Sequence, residues 1–201
     1  MSAITTQTAT RRGRQALRRL FERVDHWYRE RGNLSAVGPL LYLGLERHHG
    51  EACELPDGTR LEKGAWVGRL HFNNARAAAV EAGSRHQMGV RFARLLSDSF
   101  AALAERARGD LEALDVAVFE GITWLRPHGG TAGFDAQPLP HGPRRWLLSA
   151  HFRLLIWAFA PVGRGSAVLE VEPHRFRITR RALIEKFGAQ RGARLFARTR
   201  T

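Results

Sequence analysis

The sequence predicts a single α+β domain, in which N-terminal, central and C-terminal helices pack on a mixed, mostly antiparallel sheet. The chain has 201 residues and is 44% hydrophobic, which is enough to bury the core of one domain. Segments that alternate apolar and polar residues are mixed with segments whose apolar residues recur at helical spacing, a pattern typical of strands and helices in one fold. The single cysteine, Cys53, excludes an intrachain disulfide and a cysteine metal cluster and indicates a reducing compartment.

The first predicted element is an amphipathic helix over residues 11–31, whose apolar residues recur at helical spacing and which Gly32 ends. It follows a polar stretch, residues 1–10, which predicts a flexible tail and no signal peptide. The domain is expected to continue to residue 188, and residues 189–201 are expected to form a basic tail.

The next segments alternate in polarity and predict a small meander of strands. GPLLYLGLERHHG, residues 38–50, predicts a strand with leucines on one face and Tyr42, Glu46 and His48 on the other. Turns near Gly58 and Gly64 should lead into WVGRLHFN, residues 66–73, as the third strand. Residues 75–108 then predict one long alanine-rich helix, with a break near Gly83 or Gly89.

The second half of the chain predicts two further strands, a helix, an extended segment and a terminal helix. LDVAVFEGITWL, residues 114–125, is rich in β-branched residues, and residues 129–140 are expected to be its partner strand. Residues 143–160 predict an apolar helix opened by Pro143 and closed by Pro161. After the extended segment at 166–178, a helix capped by Thr179 should end at Gly188.

Positive charge is concentrated at the two ends of the sequence. Of the net charge of +13, residues 11–31 contribute +5 and residues 174–201 contribute +8, while residues 32–173 carry fifteen charges of each sign. A neutral body with basic ends predicts a docking surface for an anionic partner, either a membrane leaflet or a nucleic acid.

The apolar helix at 143–160 admits two interpretations. The fifteen residues after Arg145 would extend roughly 23 Å, short of the roughly 30 Å of a bilayer core, and Arg153 interrupts them. A transmembrane span is therefore not predicted. The helix is either buried in the core or lies in a membrane interface, anchored by Trp146 and Trp157.

The order of several motifs resembles that of the YkoP-like domain, a bacterial family found alone and attached to polysaccharide deacetylase domains. The matching stretches are LYLGLERHHG, LPDGTRLEKGAWVGRLHFNN, FEGITWL followed by a Gly-Phe pair, and ITRRALIEKFG. The resemblance covers roughly residues 34–188 and implies one α+β domain at the inner membrane surface or in the cytoplasm, linked to envelope polysaccharide or glycolipid metabolism. It implies no established reaction.

RLHFNNAR, residues 69–76, carries the family pattern at His71, Asn73 and Asn74 and suggests a polar site. A histidine can act as a general base, a carboxylate such as Glu46 can orient it, and Asn74 can hold a hydroxyl or an oxyanion. These three are the candidate catalytic residues. The candidate substrate-binding residues are His48, Asn73, Thr123 and Arg126.

A structural alternative explains the same stretch without chemistry: His71 is a hydrogen-bonded sheet residue and Asn74 caps a helix that begins at Ala75. A metal set of Glu46, His48, His49 and His71 is disfavoured, because adjacent histidines on a strand point to opposite faces. No metal and no cofactor is predicted.

Three functions remain open from the sequence. The first is a peripheral membrane protein, accessory or His-dependent enzyme, that acts on an envelope polysaccharide or glycolipid or beside an enzyme that does. The second is an Arg-rich nucleic-acid-binding protein, although no recognised nucleic-acid motif is present. The third is a scaffold for a partner enzyme, without chemistry of its own.

Overall fold

The computed structural model of the chain describes residues 2–78, 85–124, 134–159 and 171–188. Within these residues the helices are α1 (Ser2–Arg31), α2 (Asn74–Ala78), α3 (Arg85–Arg108), α4 (Asp110–Ala113), α5 (Pro143–Phe159) and α6 (180–188). The strands are β1 (Ser35–Val37), β2 (Leu41–Arg47), β3 (Cys53–Glu54), β4 (Arg60–Leu61), β5 (Trp66–Phe72), β6 (Val118–Thr123), β7 (Asp135–Pro138) and β8 (His174–Thr179).

Six of these strands form one mixed sheet in the order β1-β2-β5-β6-β8-β7. All neighbours are antiparallel except β5 and β6, which are parallel and are joined through α2, α3 and α4, the helical crossover that a parallel pair requires. Strands β3 and β4 form a separate hairpin. The predicted α+β fold with a mixed, mostly antiparallel sheet is confirmed.

The main core lies between one face of the sheet and the helices α3, α4 and α6. Leu43, Phe119 and Ile178 of the sheet are at most 2% exposed and share one apolar cluster with Leu103 of α3 and Leu183 of α6. Burial of each such side chain stabilises the fold by about 1.5–3 kcal/mol. The apolar contacts on this face therefore stabilise the fold, and the opposite face can hold polar side chains.

The opposite face of the sheet is partly covered by the β3–β4 hairpin and by α1. Leu55 and Leu61 of the hairpin region pack on Val67 and Val118. Helix α1 packs antiparallel on α5, since Arg14 stacks on Trp157 while Phe21 meets His151 edge-to-face. Between these two coverings the strands present charged and hydroxyl side chains.

Two predicted strand pairings were wrong. The segment at 66–73 is not the third strand of a meander, because β2 and β5, each seven residues long, pair directly and the two-residue strands β3 and β4 form their own hairpin. The partner of β6 is not β7, because β8 lies between them. Strand β8 supplies the buried Phe176 and Ile178, whereas β7 ends in Pro138, a residue that sheets tolerate at an edge.

Helix boundaries agree with the prediction except in α1. This helix begins at Ser2 rather than near residue 11, because no glycine or proline interrupts the chain before Gly13. The predicted cap of the last helix is confirmed, since the Thr179 hydroxyl accepts a hydrogen bond from the Ala182 N–H at 3.2 Å. Helix α3 continues through Gly89, and the other predicted break, Gly83, lies outside the described residues, as do residues 189–201.

Candidate functional site

The pairing of β2 with β5 brings two of the predicted site residues, His71 and Glu46, to one face of the sheet. Tyr42 lies directly opposite His71, and Glu46 lies opposite Val67 on the same face. The Glu46 carboxylate accepts a hydrogen bond from Arg69 Nε at 3.1 Å. His71 and Glu46 thus share a face, but the register places them four residues apart along it. Glu46 pairs with Arg69, and the predicted contact in which Glu46 orients His71 is not formed.

His71 is partly buried on β5, where it lies opposite Tyr42. Burial lowers the pKa of the imidazole below its usual 6.5; the Arg69 charge acts in the same direction, and Glu46 opposes both. The neutral imidazole is therefore the main form at pH 7, which is the form that a general base requires.

The two adjacent asparagines have different roles from those predicted. Asn73, not Asn74, caps the helix: its Oδ1 accepts a hydrogen bond from the Arg76 N–H at 3.0 Å, and α2 begins at Asn74. Asn74 instead donates from Nδ2 to Asp25 Oδ2 at 3.1 Å and ties α2 to α1. The prediction placed the cap one residue too late because the strand ends at Phe72, which leaves Asn73 in the capping position.

These contacts surround a polar cavity of about 400 Å³, here called the Tyr42 cleft. Its lining combines charged, polar and small residues: Glu22, Asp25, Arg29, Ala36, Gly38, Leu41, Tyr42, Asn73 and Arg76. The Tyr42 hydroxyl accepts hydrogen bonds from Arg29 Nη1 at 2.9 Å and from Asn73 Nδ2 at 3.0 Å. The Arg29 guanidinium also stacks on the Tyr42 ring at 5.1 Å from its centroid.

Asp25 is the partly desolvated carboxylate of this cleft. Burial raises its pKa above the usual 3.8, and the hydrogen bond from Asn74, the His151 charge and the Arg29 charge partly offset that rise. Burial likewise lowers the pKa of His151, which Asp25 opposes. The Asp25 carboxylate of α1 and the His151 imidazole of α5 therefore influence each other electrostatically.

The other predicted site residues lie elsewhere. His48 is 4% exposed, and its Nε2 lies 3.1 Å from the Glu51 carbonyl oxygen, so it closes the loop after β2. Thr123 lies four residues after Phe119 on β6 and so shares its apolar face of the sheet, opposite to His71. The prediction that Thr123 belongs to the same site as His71 was wrong. Arg126 lies outside the described residues.

The metal set considered from the sequence does not assemble. Across the described ranges, no group of three or more histidine, cysteine, aspartate or glutamate residues is close enough to hold a metal ion.

Sequence reasoning missed a row of alternating charges across four strands, here called the charged ladder: Glu46, Arg69, Glu120 and Arg177. Glu120 accepts from Arg69 Nη1 at 2.9 Å and from Arg177 Nε at 3.2 Å, and its side chain is 4% exposed. Arg177 reaches on to the Cys53 sulfur at 3.4 Å. The available signal was an acidic residue in the centre of VFEGIT, where a buried strand normally carries apolar residues.

A second feature of the surface is apolar. Helices α1 and α5, which pack against each other, both expose large apolar side chains, together called the apolar ridge: Leu20, Val24, Trp27, Trp146, Leu147, Leu154 and Trp157. Trp146 is 70% exposed and Leu147 is 59% exposed. The same helix buries Phe152, Leu155 and Ala158, so both interpretations of residues 143–160, a core helix and a membrane-interface helix, stay predictions. No helix in the described part of the chain combines the length and the hydropathy of a bilayer-spanning segment.

Exposed arginines flank the apolar ridge: Arg12, Arg19, Arg23 and Arg153. Leu20, Val24 and Trp27 are spaced by four and three residues and so share one face of α1. Leu17, one turn before Leu20, packs into the α1–α5 cluster, so the exposed stripe borders that helix pair. The result is a surface that is apolar along its centre and cationic at its edge.

Comparison with known proteins gives one finding. A protein-family model described as the YkoP domain matches residues 14–187, a range that includes the Tyr42 cleft and the charged ladder. No curated protein and no solved structure matches the chain significantly. The family expected from the sequence motifs is confirmed.

Proposed function

Since this chain belongs to the YkoP domain family, we propose that it docks peripherally on the anionic inner face of the bacterial membrane. At the membrane it either acts on an envelope polysaccharide or glycolipid or assists a partner enzyme that acts on one. The observation that carries the proposal is the apolar ridge with its flanking arginines.

The chemistry of the ridge favours a lipid surface over a nucleic acid. Contiguous exposed apolar side chains mark an interaction site, and tryptophan and leucine beside arginine are typical of helices that lie in a membrane interface. Each arginine near an anionic leaflet contributes about 1 kcal/mol of attraction. Phosphate contacts of a nucleic acid would use the arginines and leave the leucines in water.

Vesicle flotation tests the docking surface. The wild-type chain should float with phosphatidylglycerol vesicles at low salt and should bind phosphatidylcholine vesicles weakly. Trp146→Ser combined with Leu147→Ser should reduce binding by at least about tenfold, because it removes two exposed anchors. Leu114→Ser, which changes a 44% exposed leucine of the loop after α4, is the matched control and should float as the wild type does.

Three results would overturn the docking proposal. One is absence of wild-type flotation on anionic vesicles at low salt. Another is a concentration-dependent dimer in sedimentation that the ridge variant abolishes while vesicles stay unbound, which would assign the ridge to a second copy of the chain. The third is tight, salt-dependent binding of nucleic acid that competes with the vesicles.

The neutral imidazole of His71 supports a His-dependent reaction within this function. If the protein is an enzyme, His71→Ala should abolish its cellular function with the fold retained, and Glu46→Ala should reduce it. If both variants leave the function intact, the role is that of a scaffold for a partner enzyme.

A further inference from the structure

We propose that the Tyr42 cleft binds a neutral sugar through its hydroxyl groups. This sugar would be the headgroup of the glycolipid in the function proposed above. Only its attachment to a lipid rests on that function. The free sugar is sufficient to test it.

The Tyr42 hydroxyl is the central hydrogen-bond donor of the cleft. A tyrosine hydroxyl has one proton to donate and a limited capacity to accept. Here the oxygen already accepts hydrogen bonds from Arg29 Nη1 and Asn73 Nδ2. Guanidinium and amide nitrogens donate hydrogen bonds and do not accept them. Within the described residues no acceptor takes the Tyr42 proton, so the hydroxyl can donate it to an acceptor oxygen on a ligand.

Among the described residues that line the cleft, acidic and basic side chains are equal in number. Glu22 and Asp25 supply two carboxylates, while Arg29 and Arg76 supply two guanidinium groups. A phosphate or carboxylate ligand would meet the two carboxylates, and an ammonium ligand would meet the two guanidinium groups. A sugar hydroxyl both donates and accepts, so a ring with several hydroxyls satisfies both kinds of group without introducing a charge.

The polar groups are held in place before a ligand arrives. Asn73 is fixed as the cap of α2, and Arg29 is fixed by its stacking on Tyr42 and by a hydrogen bond to the Asp25 carbonyl oxygen at 3.3 Å. Asn74 holds the Asp25 carboxylate. Preorganised side chains lose little conformational entropy on binding. The cavity volume of about 400 Å³ lies within the range of small-molecule sites, roughly 300–1,000 Å³.

The cleft and the apolar ridge are connected through α1. Glu22, Asp25 and Arg29 line the cleft, whereas Leu20 and Trp27 belong to the ridge on the other side of the helix. An α-helix with its side chains is about 10–12 Å across, so the cleft lies about one helix diameter from the ridge. A sugar that projects from a lipid can reach that distance, whereas the acyl chains stay at the ridge.

Saturation-transfer NMR on the full chain without vesicles tests the inference with glucose, galactose, glucosamine, glucuronate and inorganic phosphate as probes. Glucose or galactose should bind at millimolar to tens of millimolar concentration, and the charged probes should bind more weakly. Tyr42→Phe should weaken sugar binding about tenfold, the effect of one lost hydrogen bond to a ligand.

Tyr42→Phe also removes the acceptor for Arg29 and Asn73 and can disturb the fold, so Arg76→Ala is the second variant. Only the backbone N–H of Arg76 takes part in the cap, and its exposed side chain can be removed without loss of that bond. Arg76→Ala should weaken sugar binding at least about threefold, an effect that the loss of one polar contact to the ligand can produce. Arg60→Ala, which removes an exposed arginine of β4, is the control and should bind sugar as the wild type does.

The inference is overturned if no neutral sugar binds in this range, if phosphate, glucosamine or glucuronate binds more tightly than glucose and galactose, or if Arg76→Ala and Arg60→Ala behave alike. Attachment of the sugar to a lipid is tested separately, since a glycolipid in neutral vesicles should recruit the chain and free sugar should release it. Failure of anionic vesicle binding alone would overturn the membrane proposal and leave the sugar site standing.

Discussion

Replacement of Glu120 by Gln tests whether the charged ladder is held by one buried carboxylate. Glu120 and Arg177 have side chains that are 4% and 9% exposed, and Glu120 also contacts Arg69, which is 23% exposed. Glutamine keeps the shape of the side chain and removes its charge. Glu120→Gln therefore leaves Arg177 buried without a neighbouring carboxylate of the ladder, while Arg69 retains Glu46.

The expected loss follows from these exposures. Removal of one partner of a buried ion pair costs about 3–5 kcal/mol, because the other charge remains desolvated. Arg69 is partly solvated and keeps a second carboxylate, so the cost falls mainly on Arg177. We therefore expect Glu120→Gln to lower the free energy of unfolding by about 3 kcal/mol, at the low end of that range.

Urea unfolding followed by circular dichroism measures the loss. The control is Glu62→Gln, which breaks an ion pair with Arg60 whose two side chains are more than half exposed; it should cost less than about 0.5 kcal/mol. A double variant, Glu120→Leu with Arg177→Met, should recover much of the stability, because it removes both buried charges. If Glu120→Gln lies within about 1 kcal/mol of the wild type, the reasoning about the ladder is refuted.

Two further predictions concern pH and a glycine. Because burial holds the pKa of His71 below 6.5, the unfolded chain binds more protons between the folded pKa and 6.5, so stability falls as pH is lowered through that window. His71→Gln should reduce that fall, measured as urea midpoints at about pH 7.5 and pH 5.5; an unchanged pH dependence would contradict it. Gly38 has φ of +62°, and a Cβ there would lie 2.5 Å from the Ser99 Cα, whereas Gly58 has φ of +80° and open space. Gly38→Ala should therefore lower the melting temperature more than Gly58→Ala, and equal losses would show that the contact with Ser99 is unimportant.

The strand faces near the site could be predicted because their pattern is local. Leucines alternate with Tyr42 and Glu46 along β2, and Leu70 alternates with Arg69 and His71 along β5. The sequence of each strand therefore predicts which residues lie on its apolar face and which lie on its polar face. Their direct pairing in the sheet then places His71 opposite Tyr42. The residues of the face follow from the alternation, and only the register had to come from the structure.

The order of strands and the content of the cleft could not be predicted in this way. Strand β8 pairs with β6, where Phe176 and Ile178 lie opposite residues of β6 and Arg177 donates a hydrogen bond to Glu120. These contacts join residues more than fifty positions apart in the sequence. The cleft depends on how α1 docks, since Asp25 and Arg29 come from the N-terminal helix and meet β2 only in the folded chain. No local pattern encodes that docking.

Tryptophan fluorescence with brominated anionic vesicles tests the central claim, membrane docking through the apolar ridge, most directly. Three of the five tryptophans lie on the ridge: Trp27 and Trp146, which are 54% and 70% exposed, and Trp157, which is 36% exposed. The emission of the wild-type chain should shift to shorter wavelength and be quenched by the bromolipid. The double variant Trp27→Phe, Trp146→Phe should lose a large part of that quenching, with the remainder from Trp157, while still floating with the vesicles. Absence of quenching in the wild type, or equal quenching in the double variant, would contradict the account.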